Sequence, residues 1–281
     1  MALVVMTAFV RALGARHVGL IESMFYRNLI ATPLILSYIA ATRGFAAIKT
    51  DRLSGHITRS IVGVIGMACT FEAYRELHLA DATTIGFTTP IFATILAALW
   101  LHEQVRWHRW AAVLVGFVGV LIVTQPGHSS VPTQGALIAL ASAFLIGVTS
   151  ILLRQLGRTE APSTTAFWFC GLSTLILAPA MPWCFHTHDM HVWMLVAGMG
   201  ASGAITQVLL NASVRLAPVS TVINMDYSAL IWSVSLGWLV FGELPAASTW
   251  MGVPLIVGSG LYIAWREHVR SRVSLAAPTP T

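Results

Sequence analysis

From Ala217 to Phe241 the chain runs 25 residues with a single charge, Asp226. A helix needs about 20 apolar residues to cross the hydrocarbon core of a bilayer, so this stretch predicts a membrane span with an acid inside it. Asp226 lies nine residues past Ala217, which at about 1.5 Å of rise per residue sets it near the middle of a core about 30 Å thick. A carboxylate there costs about 2.5–3.5 kcal/mol unless it is paired, protonated or hydrated. Two readings follow: a group that binds substrate or a proton, or a buried acid held in a structural pair.

The same stretch has an earlier echo. Leu79 to Glu103 also opens on Leu-Ala, runs apolar and closes on a glutamate, as Leu216 to Glu243 does, and a glycine-spaced apolar run follows each. A second echo sets Thr7–Gly14 (TAFVRALG) beside Ser150–Gly157 (SILLRQLG) at a similar offset of about half the chain. An internal repeat of this length decides the architecture before any single motif does. With 56% hydrophobic and 10% charged residues and a mean hydropathy of +0.76, the whole chain is too apolar for a soluble protein.

The reading is an all-α integral membrane protein with ten transmembrane helices arranged as two inverted five-helix repeats. The predicted spans are 2–13, 23–41, 57–74, 82–101, 110–124, 135–153, 164–183, 192–214, 217–241 and 250–265. The halves are 1–125 and 133–266, followed by a tail at 267–281. The first span is short against its repeat partner, so the numbering is expected to begin partway into the first helix. Taking loops alternately, one side collects Arg43, Lys49, Arg52, Arg59, Arg106, Arg109, Arg154, Arg158, Arg215, Arg266, Arg270 and Arg272, and the other only Arg16 and Arg75. Basic residues stay on the cytoplasmic side, which places both termini there. Five spans per half is an odd number, so the halves enter from opposite sides, as in many carriers whose site lies at the repeat interface.

Several spans carry groups suited to such a site. Pro90 has no N–H for the carbonyl of Gly86, predicting a kink at mid-depth with Thr84, Thr88 and Thr89 nearby. Gly203, Gln207 and Asn211 fall at i, i+4 and i+8, a polar stripe on one helix face that lipid would not tolerate. Asn224, Tyr227 and Ser228 share a face, with Asp226 about 100° from Tyr227. Trp168, Trp232 and Tyr227 lie deep enough to line a pocket, or to pack against lipid. Arg27, Glu72 and Glu22 predict an interhelical ion pair that could gate, with capture of a substrate carboxylate by Arg27 as the second reading.

Other features point away from chemistry. Gly198, Gly200 and Gly203 spell GxGxxG inside an apolar helix with no preceding strand, which reads as close helix packing. His186, His188, Asp189 and His191 cluster in one loop, too few candidates to expect a metal. Cys69, Cys170 and Cys184 have no ligand spacing. No hydrolase motif occurs, so neither an enzyme nor a cofactor is expected. The excess positive charge lies in loops and does not indicate nucleic acid.

Taken together, E-x-x-F-Y-R-N-L at 22–29, L-A-D-A at 79–82, T-P-I-F-A at 89–93, L-x-E at 101–103, G-x-x-G-V at 116–120 and F-G-E at 241–243 resemble the EamA branch of the drug/metabolite transporter superfamily. The resemblance spans both halves. It implies a carrier of the cell inner membrane working by alternating access on small metabolites or drugs. It further implies a cavity lined by the first, third, fourth, sixth, eighth and ninth spans, and a peripheral last helix in each half that supports a homodimer. The chain departs from that pattern at its short first helix and at Glu72. The expected substrate is an amino acid or a compound like one, most simply exported. Asp226 would face its ammonium group, with Asn224, Tyr227, Gln207 and Thr88 orienting it and Asn211 as a further substrate-binding candidate; the alternative role of Asp226 is to release a proton near neutral pH and couple transport to it. A broad drug or cation efflux pump and a membrane protein without flux are the alternatives.

Overall fold

A backbone in hydrocarbon has no water to bond, so each apolar run of this sequence satisfies its own amides as helix. The computed structural model describes residues 1–100, 107–124, 132–216 and 219–276, the side chains at 97, 109, 214–227 and 266–276 excepted. Among these there is no strand. The first half supplies α1 (Ala2–Ala15), α2 (Leu20–Thr42), α3 (Leu53–Glu76), α4 (Leu79–Gly86), α5 (Thr89–Trp100) and α6 (Trp107–Thr124). The second supplies α7 (Thr133–Leu156), α8 (Pro162–Leu177), α9 (Met181–Cys184), α10 (Met190–Leu216), α11 (Val219–Phe241) and α12 (Ala247–Ala276).

Five stretches among the described residues are long and apolar enough to cross a membrane: 79–100, 133–156, 162–184, 190–213 and 247–265. Ala2–Ala15, Trp110–Thr124 and Ser228–Phe241 are shorter apolar helices. Helices α2 and α3 have the length but not the apolarity, with Arg27 and Asn28 in one and His56 and Arg59 in the other.

Two of the predicted spans are broken. The fourth is α4 and α5, and Pro90 lies just past the break. The Gly86 carbonyl that Pro90 leaves unbonded accepts a hydrogen bond from Thr89 Oγ1 at 2.8 Å, and Thr88 Oγ1 donates to Ile85 O at 2.7 Å. Neighbouring hydroxyls thus re-satisfy the broken backbone, as membrane helices require. The seventh is α8, then a 3-10 turn at Ala178–Ala180, then α9, where Pro179 and Pro182 interrupt the ladder.

The packing pattern repeats between the halves. Helix α3 lies on α7 as α10 lies on α1, and α2 on α10 as α8 on α3. Contacts between α5 and α7 match those between α11 and α1. The pairs α2–α8, α4–α11 and α6–α12 are each their own counterpart. Exchanging the halves therefore returns these main pairings.

Glycines set how closely some pairs approach. On α6 a Cβ at Gly116 would overlap Ile91, and one at Gly119 would stand 2.8 Å from Ile256 Cγ1 and 3.1 Å from its backbone nitrogen. On α12 a Cβ at Gly252 would reach Gly119 O at 2.7 Å. Small residues let the α6 and α12 backbones nearly touch, which is how helices associate where lipid supplies no hydrophobic drive. The GxGxxG run serves the same end, since Gly198 faces Phe9 on α1 and Gly200 faces Ile30 on α2.

Polar ties fix one end of the bundle. Arg11 on α1 makes a bidentate ion pair with Glu243 after α11, at 2.5 and 2.6 Å, and also donates to the carbonyls of Tyr74 and Leu77 at the end of α3. Asp81 is buried and accepts from Thr249 Oγ1 at 2.6 Å, joining α4 to α12, with His78 Nδ1 at 2.9 Å. The residue matching Arg11 in the second half, Arg154, is exposed.

The glycine seam makes a direct prediction. Gly119→Ala should destabilise the protein by about 1–3 kcal/mol through overpacking, seen as a lower thermal midpoint in detergent. Gly258→Ala on α12, where a Cβ meets nothing within 4 Å, should stay within about 0.5 kcal/mol of wild type.

Candidate functional site

Polar side chains inside α2, α3, α8 and α10 have to face one another, because the alternative is lipid. They form a buried column between these four helices. At one end Glu22, on the first turn of α2, is fully buried and bonded to His188 Nε2 at 2.9 Å, with His186 Nδ1 at 4.0 Å. Next, Tyr26 packs edge-on against Trp193 at 5.0 Å between ring centroids.

Arg27 follows, 3% exposed. Its Nη1 donates to Asn28 Oδ1 at 2.8 Å, and its Nη2 to Gln207 Oε1 at 3.2 Å and Gly203 O at 3.4 Å. Asn28 is oriented in turn by a bond from its Nδ2 to Met24 O at 2.8 Å. Gly203 is glycine for a steric reason: a Cβ there would stand 2.8 Å from Arg27 Nε.

Below Arg27 is the ring of Phe169. Gly63 on α3 makes room for it, since a Cβ at Gly63 would stand 2.7 Å from the ring. The guanidinium carbon of Arg27 lies 5.9 Å from the ring centroid and that of Arg59 lies 3.8 Å from it. Arg59 is also 3% exposed, and its Nε and Nη1 find no acceptor among the described residues. The Nε of Arg27, both ring nitrogens of His56, Thr206 Oγ1 and Asn211 Oδ1 are buried without a hydrogen bond as well.

Toward the other end His56 stacks on Trp168 at 5.9 Å and 28°, and Trp168 Nε1 donates to Ile48 O at 3.0 Å. Glu160 Oε1 lies 4.0 Å from His56 Nε2 and accepts from Thr50 Oγ1 at 2.6 Å. Beside the column, a mostly apolar cavity of about 470 Å³ opens between α2 and α8, bordered by Leu29, Pro33, Trp168 and Leu172.

The structure sorts the residues picked from sequence. Gly203, Gln207 and Asn211 do share a face, and it is turned to the column, where Asn211 Nδ2 donates to Pro162 O at 3.2 Å. Trp168 borders the column. Trp232 does not: it is 39% exposed on the bundle surface. Thr84 and Thr88 are buried but bonded to Ala80 O and Ile85 O of their own segment, holding the helix break rather than offering free hydroxyls. Asn224, Asp226 and Tyr227 belong to α11, but their side chains lie outside the described residues.

The expected ion pair takes different partners. Arg27 bonds neutral acceptors, while Glu22 goes to His188 and Glu72 to Arg75 at 3.8 Å. Arg27 and Glu22 are five residues apart, about 140° around one helix, so they point to different neighbours. The four-helix lining also differs from expectation, since α2 and α8 provide Arg27 and Phe169. Asn28, His56, Arg59 and Phe169 were not singled out in sequence. Asn28 stood beside Arg27 in the motif at 22–29, whereas Arg59 sat close enough to a span edge to count among the loop charges.

A bundle of apolar helices around a buried, charged column that is partly unsatisfied among the described residues is the architecture of an integral membrane protein. The chain belongs to the EamA-like transporter family, whose model matches residues 1–125 and 133–265. It is 30% identical over 245 residues to the riboflavin transporter of Vibrio cholerae, covering 86% of this chain and 82% of that one. It is 27% identical to the pseudopaline exporter of Pseudomonas aeruginosa, covering 84% and 83%. A protein of known crystal structure shares the fold at a TM-score of 0.61 and 18% identity, over 93% of this chain and 94% of that one. The protein is a membrane transporter and not an enzyme.

Gly203→Ala should push Arg27 off Gln207 and lower stability by about 1–3 kcal/mol, read from thermal unfolding in detergent. Gly171→Ala on α8, with open space at its Cβ, should leave the midpoint unchanged.

Proposed function

We propose that the protein is a ten-helix secondary carrier of the cell inner membrane, built from inverted repeats at 1–125 and 133–266 with both termini in the cytoplasm. It exports a small, amino-acid-like metabolite by alternating access. The observation that carries this reading is the column itself. Helices α2 and α3 come from one half and α8 and α10 from the other, and several donors and acceptors between them have no partner among the described residues. A purely structural core satisfies its polar groups, because each one left unbonded costs about 1–3 kcal/mol; a binding chamber leaves them for its ligand.

The exchangeable packing of the halves supports a rocking motion of one half against the other, which moves access from one end to the other around a fixed site. The Arg11–Glu243 clasp beside an exposed Arg154 fits a state closed at the clasp end. The name of the Pseudomonas aeruginosa relative supports export. The name of the Vibrio cholerae relative favours a ring-bearing substrate as a second reading, and Trp168 and Phe169 in the column suit it. A broad cation pump fits less well, since the charges at the column's centre are positive.

In this mechanism Gln207 holds Arg27 in place, and Asp226 on α11 serves as counter-charge to an ammonium group or as the coupling proton's site. A homodimer, if formed, would use the peripheral α6 and α12 pair.

Counterflow in proteoliposomes, with labelled amino acids, riboflavin and a lipophilic cation, tests the reading. Wild type should exchange a narrow set. Gln207→Leu should cut that exchange at least tenfold with the protein still folded, and Asp226→Asn should abolish it for ammonium-bearing substrates. Exchange of no compound would remove the carrier assignment, and exchange indifferent to Asp226→Asn would leave that acid a structural role.

A further inference from the structure

The column holds two arginines where one would anchor a helix. Both are buried, both lie against the Phe169 ring, and among the described residues neither makes an ion pair with any carboxylate. The acids in the column stand at its two ends. Glu22 is held by His188 and Glu160 by Thr50. Helix α11, which carries Asp226, packs chiefly on α4, α12 and α1 rather than on α2, α3 or α8.

An uncompensated guanidinium inside a membrane protein is costly, and two on one ring repel each other as well. The aromatic face offsets part of that cost. Neutral acceptors cover two of the Arg27 nitrogens, but Nε of Arg27 and both Nε and Nη1 of Arg59 remain unbonded. A guanidinium accepts a planar two-oxygen group in two parallel hydrogen bonds through its Nε and Nη2 edge or through its Nη1 and Nη2 end. Among the described residues no acceptor meets either side of Arg59, which is buried and next to a second positive charge.

From this we infer that Arg59, with Arg27 and Phe169, forms an anion subsite that takes the carboxylate of the transported metabolite. The proposal rests on the carrier reading and narrows its substrate to compounds that bear a carboxylate. Arg59 supplies the bidentate contact through Nη2 together with Nε or Nη1. Arg27, fixed by Asn28, Gln207 and Gly203, supplies the second charge. Phe169 keeps the two guanidiniums at a set spacing and excludes water from the pair. Trp168, one residue before Phe169 and stacked on His56, bounds the subsite toward the Glu160 end and suits a substrate whose carboxylate sits on or near a flat ring.

The test compares acids with their own amides, because the pair keeps shape and changes charge. Purified full-length protein in lipid-free detergent is titrated at constant ionic strength with benzoate against benzamide, nicotinate against nicotinamide, and glutamate against glutamine, and thermal midpoints are recorded. At least one acid should raise the midpoint saturably by several degrees where its amide does not, and chloride should not substitute for it. Arg59→Gln and Arg27→Gln should each remove that shift. If either fails to fold, Arg59→Lys, which keeps the charge and loses the fork, should weaken the apparent affinity at least fivefold. No acid exceeding its amide, or a full shift retained in Arg59→Gln or Arg59→Lys, overturns the subsite. Stabilisation by an acid without any counterflow would uphold the subsite and remove the carrier reading. Counterflow of a neutral compound at wild-type rate in Arg59→Gln would uphold the carrier and remove the subsite.

Discussion

Inside the bilayer, a polar group that its own helix does not satisfy has to be met by a neighbouring helix or by a ligand. This constraint arranges the molecule. It turns Arg27 and Asn28 of α2, Arg59 and His56 of α3, Phe169 of α8 and the Gly203–Gln207–Asn211 face of α10 toward a common axis. It also explains the Thr89 hydroxyl at the break before α5. Helices with less to hide pack otherwise: α6 and α12 meet through glycines at the edge of the bundle.

The column differs from an ordinary core in how it treats charge. Asp81, another fully buried acid, is bonded by Thr249 and His78 and serves only to tie α4 to α12. Arg11 is likewise spent on Glu243 and two carbonyls. Among the described residues Arg59 has no comparable set of partners and lies against an aromatic ring. Satisfied charges hold the scaffold, and among the described residues the unsatisfied ones lie together in the column.

Chemistry at the two ends is of a different kind. Glu22 with His186 and His188, and Glu160 with His56 and Thr50, place an acid beside histidine at each limit of the column. These clusters join loops to helix ends, where relative movement of the halves would break or remake them. At the centre, by contrast, Gly63 and Gly203 make room for the Phe169 ring and the Arg27 side chain.

The sequence by itself determined what could be expressed as periodicity and run length. Apolar runs gave the helices, Pro90 gave the break, the i, i+4, i+8 spacing gave the Gln207 face, and the repeated motifs pointed to the family. All of these are local properties of the chain. Partnership was decided only in three dimensions. Arg11 and Glu243 are 232 residues apart, and His188 and Glu22 are 166 apart, so no local signal pairs them. Arg27 is expected to pair with Glu72 or Glu22 because charges inside spans need partners, yet helical geometry aims Arg27 and Glu22 apart and Glu72 is taken by Arg75. Arg59 looked like a loop charge because counting basic residues cannot tell a side chain that leaves the membrane from one that turns inward. The direction a side chain takes is fixed by what the neighbouring helix presents, and that becomes known only when the helices are packed.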